Sequence, residues 1–276
     1  DSVTMNKKIP FKFNIIRFLI LFIVFSFIYC LRKCEFFGMP YSRENYKQKI
    51  TIFLLIMSYI LLTCFINLYS GNNNEIDYYE TDFVQALSNG KIYLEENPSE
   101  KLMNLKNPYD ATDRIANHLQ RGEDFIWDAS YYNGKYYSYF GILPALILLV
   151  PYHLITGEYM YISMAILIFS MMTIWGLKEL IINIFEKYFK NTPFKIMIFS
   201  MLILLFGSQI LILNGRPKFY ELAVISGLFF AITGINFMFV AIREKDVKYK
   251  YIFLSSLFLS LSVACRPTML LTSLIA

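Results

Sequence analysis

Long apolar runs alternate with short polar segments along most of the chain. The clearest run is 50–69, and further runs cover about 139–156, 159–184, 195–213, 220–242 and 251–264, with another beginning at 268. A helix needs about 20 apolar residues to cross the hydrocarbon core of a bilayer. The runs are apolar on all sides, whereas the strands of a membrane barrel alternate. The pattern therefore predicts an all-α, polytopic helical membrane protein with about seven spans.

The composition supports this class and excludes others. Hydrophobic residues make up 56% of the 276 residues and charged residues 17%, which is more apolar than a soluble domain of this length requires. The net charge of +5 comes from Lys and Arg in short loops, so no nucleic-acid partner is expected. The four cysteines show neither a disulfide framework nor the spacing of metal ligands.

The basic loops predict the orientation of the spans. Lys and Arg cluster in 32–49, 185–195 and 243–250, and short basic loops favour the cytoplasmic side. The loop 70–137 is then expected on the extra-cytoplasmic side. It carries twelve Asp or Glu and six Lys or Arg. A connection of this length is usually functional.

The chain divides into an N-terminal part, 1–49, with an apolar segment and a basic cytoplasmic loop, and a membrane domain, 50–276. The apolar segment 18–31 has basic residues on both sides, so it is either re-entrant or interfacial, or one flank violates the charge rule. Met5 looks like a natural start and the last run stops at Ala276, so we expect a truncated membrane helix there.

The segment 139–156 leaves two alternatives open. If 70–137 is outside and 185–195 inside, the chain between them makes one net crossing of the membrane. It nevertheless contains two apolar runs, 139–156 and 159–184. Either 139–156, which contains Pro144 and Pro151, dips into the membrane and returns, or it spans and the charge rule fails twice.

The long outer loop contains two predicted helices. "TDFVQALSNG" indicates a short amphipathic helix that places Phe83, Val84 and Leu87 on one side and stops at Gly90. "NPYDATDRIANHLQRG" predicts a second helix, capped by Asp110 and ending before Gly122.

Charged residues at the ends of the predicted spans are the first candidates for chemistry. They are Asp128, Lys135, Arg216, Lys218, Glu221 and Arg266. Guanidinium and ammonium groups there suit the phosphate of a lipid carrier. The simpler interpretation is that they anchor helix ends at the membrane surface.

Carboxylates just after the span 50–69 are the second group of candidates. "NEIDYYETDFVQALSNG" contains Glu75, Asp77, Glu80 and Asp82. A carboxylate at the end of a span is suited to accept a proton from an attacking hydroxyl or amine, or to bind a divalent cation. A solvated acidic loop is the alternative.

These motifs together resemble the GT-C superfamily of membrane glycosyltransferases. The resemblance rests on the acidic loop after a span, on "NPYDATDR", "WDASYYNGKYYSYFGILPALILLVPY" and "GRPKFYELAVISGLFF", and on "ACRPT". Within that group it points to an uncharacterised bacterial branch of enzymes similar to dolichyl-phosphate-mannose–protein mannosyltransferases. It runs from about residue 50 to the end of the chain.

The resemblance implies transfer of a sugar from a polyprenyl-phosphate donor to a glycan, lipid or protein acceptor outside a bacterial plasma membrane, with or without a divalent cation. Asp77 best matches the general base, although the common Asp-Glu pair appears here only as "NEID", so Asp82 and Asp128 stay candidates. Lys135, Arg216 and Arg266 would bind the carrier phosphate, with Lys218 and Glu221 beside them and tyrosines such as Tyr136 around the sugar. A transporter or flippase for a lipid-linked glycan, or a non-catalytic membrane scaffold, is the alternative.

Overall fold

The computed structural model describes residues 14–71, 78–119, 124–126, 129–242 and 248–273. The helices are α1 Ile15–Lys33, α2 Tyr46–Gly71, α3 Tyr78–Ser88, α4 Glu100–Met103, α5 Ala111–Ala116, α6 Val150–Thr156, α7 Ile162–Tyr188, α8 Phe194–Gly207, α9 Ile210–Gly215, α10 Phe219–Ala241, α11 Tyr249–Cys265 and α12 Leu270–Ser273. A π-helical turn, Ala145–Leu149, leads directly into α6, and 3₁₀ turns occupy Glu35–Phe37 and Pro267–Met269. Two strands, β1 Ala129–Tyr132 and β2 Lys135–Ser138, complete the structure.

Four helical segments in the described part of the chain have the length and apolar composition of membrane-crossing helices. They are Tyr46–Ser70, Ile162–Tyr188, Phe194–Gly215 and Phe219–Ala241, and Tyr249–Cys265 is apolar but shorter. This confirms a helical protein of the membrane class. Four is fewer than the seven or so spans that the sequence suggested.

Helix α10 lies at the centre of the bundle, where it packs along α7 and α11. Two glycines permit this close packing. A Cβ on Gly234 would come within 2.7 Å of Leu259 Cγ on α11, and one on Gly176 within 3.0 Å of Ile232 Cγ2. Small residues at helix contacts allow backbones to approach closely where no hydrophobic effect drives helices together.

The bundle has two distinct ends. At the first, which we call the loop end, Asn67 of α2 donates to Ser163 O of α7 at 3.0 Å, and Arg266 after α11 donates to Tyr220 of α10 at 2.6 Å. At the other, the basic end, Phe194 N donates to Met39 O at 2.8 Å. The chain therefore passes between the two ends in α2, α7, α8–α9, α10 and α11, alternating in direction.

The described parts of the three basic loops meet at the basic end. Arg43 donates from Nε and Nη2 to the two carboxylate oxygens of Glu186, and Lys187 Nζ donates to Ile242 O at 2.8 Å. Lys248 N donates to Ala241 O at 3.2 Å across the loop between α10 and α11. The described parts of these loops therefore lie at one end of the bundle, and helix α3 of the long loop lies at the other.

The segment 139–156 begins and ends at the loop end. Gly141 N donates to Cys265 O at 3.2 Å, at the end of α11, and α7 starts beside Asn67. Its helical part, Ala145–Thr156, is about 18 Å long at 1.5 Å per residue, well short of a hydrocarbon core of roughly 30 Å. The segment therefore starts and finishes at the same end of the bundle, as the first of the two alternatives requires.

Helix α1 stands largely apart from the bundle. It is one uninterrupted helix of 19 residues, longer than the 18–31 segment read from the sequence. Its apolar side chains point outward on several sides; Phe22 and Phe25 are 61% and 66% exposed. An all-round apolar surface of this kind suits contact with lipid.

The expectation of an all-α fold was wrong for the stretch that precedes α6. Strands β1 and β2 form an antiparallel hairpin in which Tyr132 pairs with Lys135. Asn133 and Gly134 connect them with φ values of 48° and 75°. Positive φ at both turn residues matches the right-handed twist of a hairpin, and Asn-Gly is the favoured pair for it.

The apolar run 195–213 is also not one continuous helix. Helices α8 and α9 are separated at Ser208 and Gln209, where Gln209 has a φ of 61°. The Tyr59 hydroxyl donates to Leu205 O at 2.7 Å, and the Ser208 hydroxyl donates to the same oxygen at 2.7 Å. These bonds satisfy a carbonyl that the break releases, as an interrupted helix inside a membrane requires.

Candidate functional site

An aromatic cluster joins three parts of the chain at the loop end. Phe83 of α3 lies edge-on to Phe219 of α10, with ring centroids 5.6 Å apart. Phe140, just after the hairpin, contacts Phe219 at 5.6 Å and Tyr220 at 5.9 Å. The predicted amphipathic helix is confirmed as α3; it ends at Ser88, shortly before Gly90 with its φ of 72°, and its Phe83 face is the one that packs here.

The close approach of Gly141 to α11 fixes this arrangement. A Cβ at position 141 would lie 1.9 Å from Ala264 O and 2.5 Å from the Cys265 carbonyl. Both obstacles are backbone atoms, which have little room to shift, so only glycine fits. The long loop, the start of α10 and the end of α11 are therefore held together.

Three of the predicted site residues surround the start of α10. Arg216 and Lys218 are exposed, and both are close enough to Glu221 to act on its carboxylate electrostatically. Glu221 occupies the third helical position and faces the backbone N–H groups of Lys218 and of its own residue, a capping arrangement. Its Oε2 atom is buried and has no hydrogen-bond partner within the described structure. Such an oxygen is available to accept a hydrogen bond from a ligand.

Arg266 lies over the ring of Tyr220. Its guanidinium carbon is 4.5 Å from the ring centroid, and Nη2 donates to the tyrosine hydroxyl at 2.6 Å. Because the aromatic cluster fixes Tyr220, the guanidinium is positioned before any ligand arrives. A guanidinium held in this way retains N–H groups suited to phosphate.

Lys135 and Tyr136 are consecutive residues of the hairpin, and their side chains lie in different environments, one exposed and the other buried. The Lys135 ammonium is exposed and sits 3.5 Å from the centroid of the Tyr93 ring. Tyr136 is 2% exposed, its carbonyl accepts from Leu94 N at 2.8 Å, and its hydroxyl meets the Ile126 backbone. Tyr136 is thus part of the core that supports the hairpin, and its ring does not line an open surface.

Asp82 is buried and fastens the loop that follows α3. Its two oxygens accept from Glu95 N at 3.3 Å and Glu96 N at 3.4 Å. Burial raises the pKa of the Asp82 carboxyl above its ordinary value, and these two bonds offset part of that rise. The bonds give Asp82 a structural task.

Glu96 adds a second partly buried carboxyl beside Asp82. Burial and the Asp82 charge both raise the pKa of Glu96. Carboxyls with displaced pKa values occur often at functional sites, although structural networks displace them too. Glu96 comes close to Asp82 only because the loop after α3 folds back, so no local sequence pattern indicates it.

A buried polar network anchors α2 at the loop end, close to this site. Asn67 Nδ2 donates to Asn214 Oδ1 at 3.0 Å, and Asn214 Nδ2 donates to the Ser170 hydroxyl at 2.7 Å and to Ile210 O at 2.9 Å. This network fixes the end of α2 next to the turn that carries Arg216. Asparagines within apolar runs were the signal that would have revealed it.

Two of the three predicted catalytic residues, Asp77 and Asp128, lie outside the described residues, as does Glu75. Within the described ranges, no group of three or more His, Cys, Asp or Glu side chains is placed to hold a metal ion. The second loop helix is confirmed as α5, where the Asp110 side chain accepts from Thr112 N at 2.8 Å, but it ends at Ala116, earlier than expected.

The fold and this site define a helical membrane protein whose charged residues gather where its apolar helices end. Comparison with known proteins gives no match: no family model, no curated protein and no solved structure is significantly similar to the chain.

Proposed function

We propose that the chain is a membrane glycosyltransferase that moves a sugar from a polyprenyl-phosphate carrier to an extra-cytoplasmic glycan, lipid or protein. The observation that carries the proposal is the surface around the start of α10. Arg216 and Lys218 lie near a buried Glu221 oxygen that no described group satisfies, and Arg266 contacts Tyr220, the residue before Glu221. Cations suit the carrier phosphate, and a carboxylate oxygen suits a sugar hydroxyl.

The surroundings of this surface fit a ligand that is part polar and part lipid. The apolar segment Ala145–Thr156 lies beside α3 at the same end of the bundle. It is too short to cross the membrane, and such a segment is suited to guide a polyprenyl tail toward the charged residues. The GT-C resemblance supplies the reaction, with Asp77 as general base and a divalent cation as one alternative for the donor phosphate.

The direct test is incubation of the purified full-length protein with a panel of radiolabelled polyprenyl-phosphate sugars, with release of polyprenyl phosphate as the readout. We expect turnover of at least one donor, and its loss in Arg266→Ala but not in Lys106→Ala, an exposed cation of the long loop. Absence of turnover and of binding across the panel would contradict the proposal.

A transporter or flippase for a lipid-linked glycan is the second candidate, because α8 and α9 form an interrupted helix and polar residues are buried beside it. Interrupted helices carry the binding sites of many transporters. Here the Leu205 carbonyl that the break releases is satisfied internally by the Tyr59 and Ser208 hydroxyls. A flipping assay in proteoliposomes separates the two, because a flippase moves the lipid without cleaving the sugar from it.

A further inference from the structure

Two cavities open between the helices near the basic end, away from the proposed catalytic surface. The larger, about 650 Å³, lies between α7 and α10, and the smaller, about 340 Å³, between α2 and α7. Arg43, Trp175 and Glu179 line both of them. The cavities therefore meet at these three residues.

The spacing of lining residues along α7 shows how the cavities are arranged. Successive residues of a helix are rotated by about 100°. Gly176 and Asn183 face the larger cavity and Lys178 the smaller one, while Trp175 and Glu179 lie on the strip between them. The two cavities thus diverge on either side of one strip of α7.

The junction is polar and basic. Lys178 Nζ lies 3.3 Å from the centroid of the Trp175 ring and 2.7 Å from Glu179 Oε1, and its side chain is only 12% exposed. Lys49 is exposed at the rim of the smaller cavity, and Arg43 reaches the junction while paired with Glu186. Three cations therefore meet two carboxylates here, Glu179 in the lining and Glu186 beside it, which leaves an excess of one positive charge.

The walls away from the junction are mostly apolar, and the two asparagines of the larger cavity, Asn183 and Asn236, hydrogen-bond to each other. Met171, Phe229 and Phe237 line the larger cavity, and Ile52 and Phe53 line the smaller one. Both therefore combine a charged opening with a hydrocarbon-compatible interior.

From this geometry we infer a binding site for a two-chain anionic phospholipid at the basic end, with its phosphate at the Arg43–Lys178 junction and one acyl chain in each cavity. The divergence of the cavities suits a lipid with two tails. The excess of cations suits a negative headgroup, as basic pockets between membrane helices do elsewhere. The inference does not depend on the glycosyltransferase proposal.

Trp175 supplies the probe for the experiment. The chain contains two tryptophans, Trp127 and Trp175, so Trp127→Phe leaves Trp175 as the sole indole. The protein is placed in nanodiscs with a fixed ratio of phosphatidylglycerol to phosphatidylcholine, and the bromine label is moved from one lipid to the other. We expect brominated phosphatidylglycerol to quench Trp175 fluorescence well beyond its share of the lipid.

Matched variants show whether the cations create this preference. Lys49→Gln with Lys178→Gln should lower the preference by at least about fivefold, the effect of roughly one basic residue near a lipid surface. Lys190→Gln with Lys195→Gln removes two exposed cations from the same end outside the cavities and should leave it unchanged. If the first pair does not fold, Lys49→Gln alone, at an exposed position, should still lower it.

Three results would overturn the inference. Quenching in proportion to lipid composition would show no anionic preference, and equal effects of the two variant pairs would show that the cavities do not create it. Displacement of the brominated lipid by glycerol phosphate would show a site for free phosphate rather than for a lipid.

Discussion

Gln48 at the basic end and Glu221 at the loop end differ in whether their buried polar atoms have hydrogen-bond partners. At the basic end, Gln48 is fully buried and satisfies three backbone groups of the preceding loop, donating to Phe36 O and Pro40 O at 3.1 Å each and accepting from Ser42 N at 2.8 Å. At the loop end, Glu221 keeps a buried oxygen without a partner in the described structure. Gln48 therefore stabilises the basic end by satisfying backbone groups, whereas Glu221 at the loop end keeps one acceptor unused within the described structure.

The largest expected effect concerns the proposed base at the loop end. Asp77→Asn removes a proton acceptor but keeps the shape of the side chain, so transfer should fall by roughly 10² or more while donor binding persists. Single-turnover kinetics with saturating donor measure this.

Asp82→Asn is the matched control for that substitution. An amide has one acceptor oxygen where the carboxylate uses two, so one of the bonds to Glu95 N and Glu96 N is lost and the protein is destabilised. The transfer rate of folded protein should fall less than in Asp77→Asn. The reverse order would assign the base to Asp82.

The next effect concerns donor affinity. Arg216→Ala and Arg266→Ala should each weaken donor binding by about 1.5–3 kcal/mol, the usual contribution of a hydrogen bond to a charged group, with little change in thermal stability. Equilibrium binding of a radiolabelled donor measures the loss. Tyr220→Phe, which removes the hydroxyl that Arg266 contacts, should have a smaller effect of the same kind. Wild-type affinity in both arginine variants would remove them from the site.

Gln48→Ala tests the contrast from the basic end. It leaves buried backbone groups of residues 36–42 without their partner, so the free energy of unfolding should drop by about 1–3 kcal/mol. Donor affinity and transfer rate of the folded fraction should not change. A stable Gln48→Ala variant with impaired transfer would break the distinction between the two ends.

The spans and the short loop helices were predictable because periodicity and turn residues are local signals. Phe83, Val84 and Gly90 sufficed to locate α3, and Asn133-Gly134 would have located the hairpin had it been weighed as a turn signal. The break at Gln209 was not predictable, since its stability comes from the Tyr59 hydroxyl, 150 residues earlier in the chain. Of the candidate site, the grouping of Arg216, Glu221 and Arg266 at one end followed from loop charges, whereas the stacking of Arg266 on Tyr220 required the fold.

The smallest expected effect is a dependence of stability on pH at the loop end. The folded pKa values of Asp82 and Glu96 are raised, so between the ordinary and the raised values the folded state binds more protons than the unfolded state. Stability contributed by these groups is then highest at low pH and falls as pH rises through the raised values. Melting temperatures of the wild type and of Glu96→Gln, measured across that window, should converge at low pH and separate as pH rises. Parallel curves would show that Glu96 is not perturbed.

An extra-cytoplasmic site at the loop end requires that the loop end and the basic end face opposite sides of the membrane. In a variant lacking Cys30, Cys34, Cys64 and Cys265, a single cysteine is introduced at Asn97, exposed in the long loop, or at Lys190, exposed at the basic end. We predict that a membrane-impermeant maleimide labels Asn97→Cys in intact cells and labels Lys190→Cys only after lysis. Labelling of Lys190→Cys but not of Asn97→Cys in intact cells would contradict the orientation and, with it, the extra-cytoplasmic site.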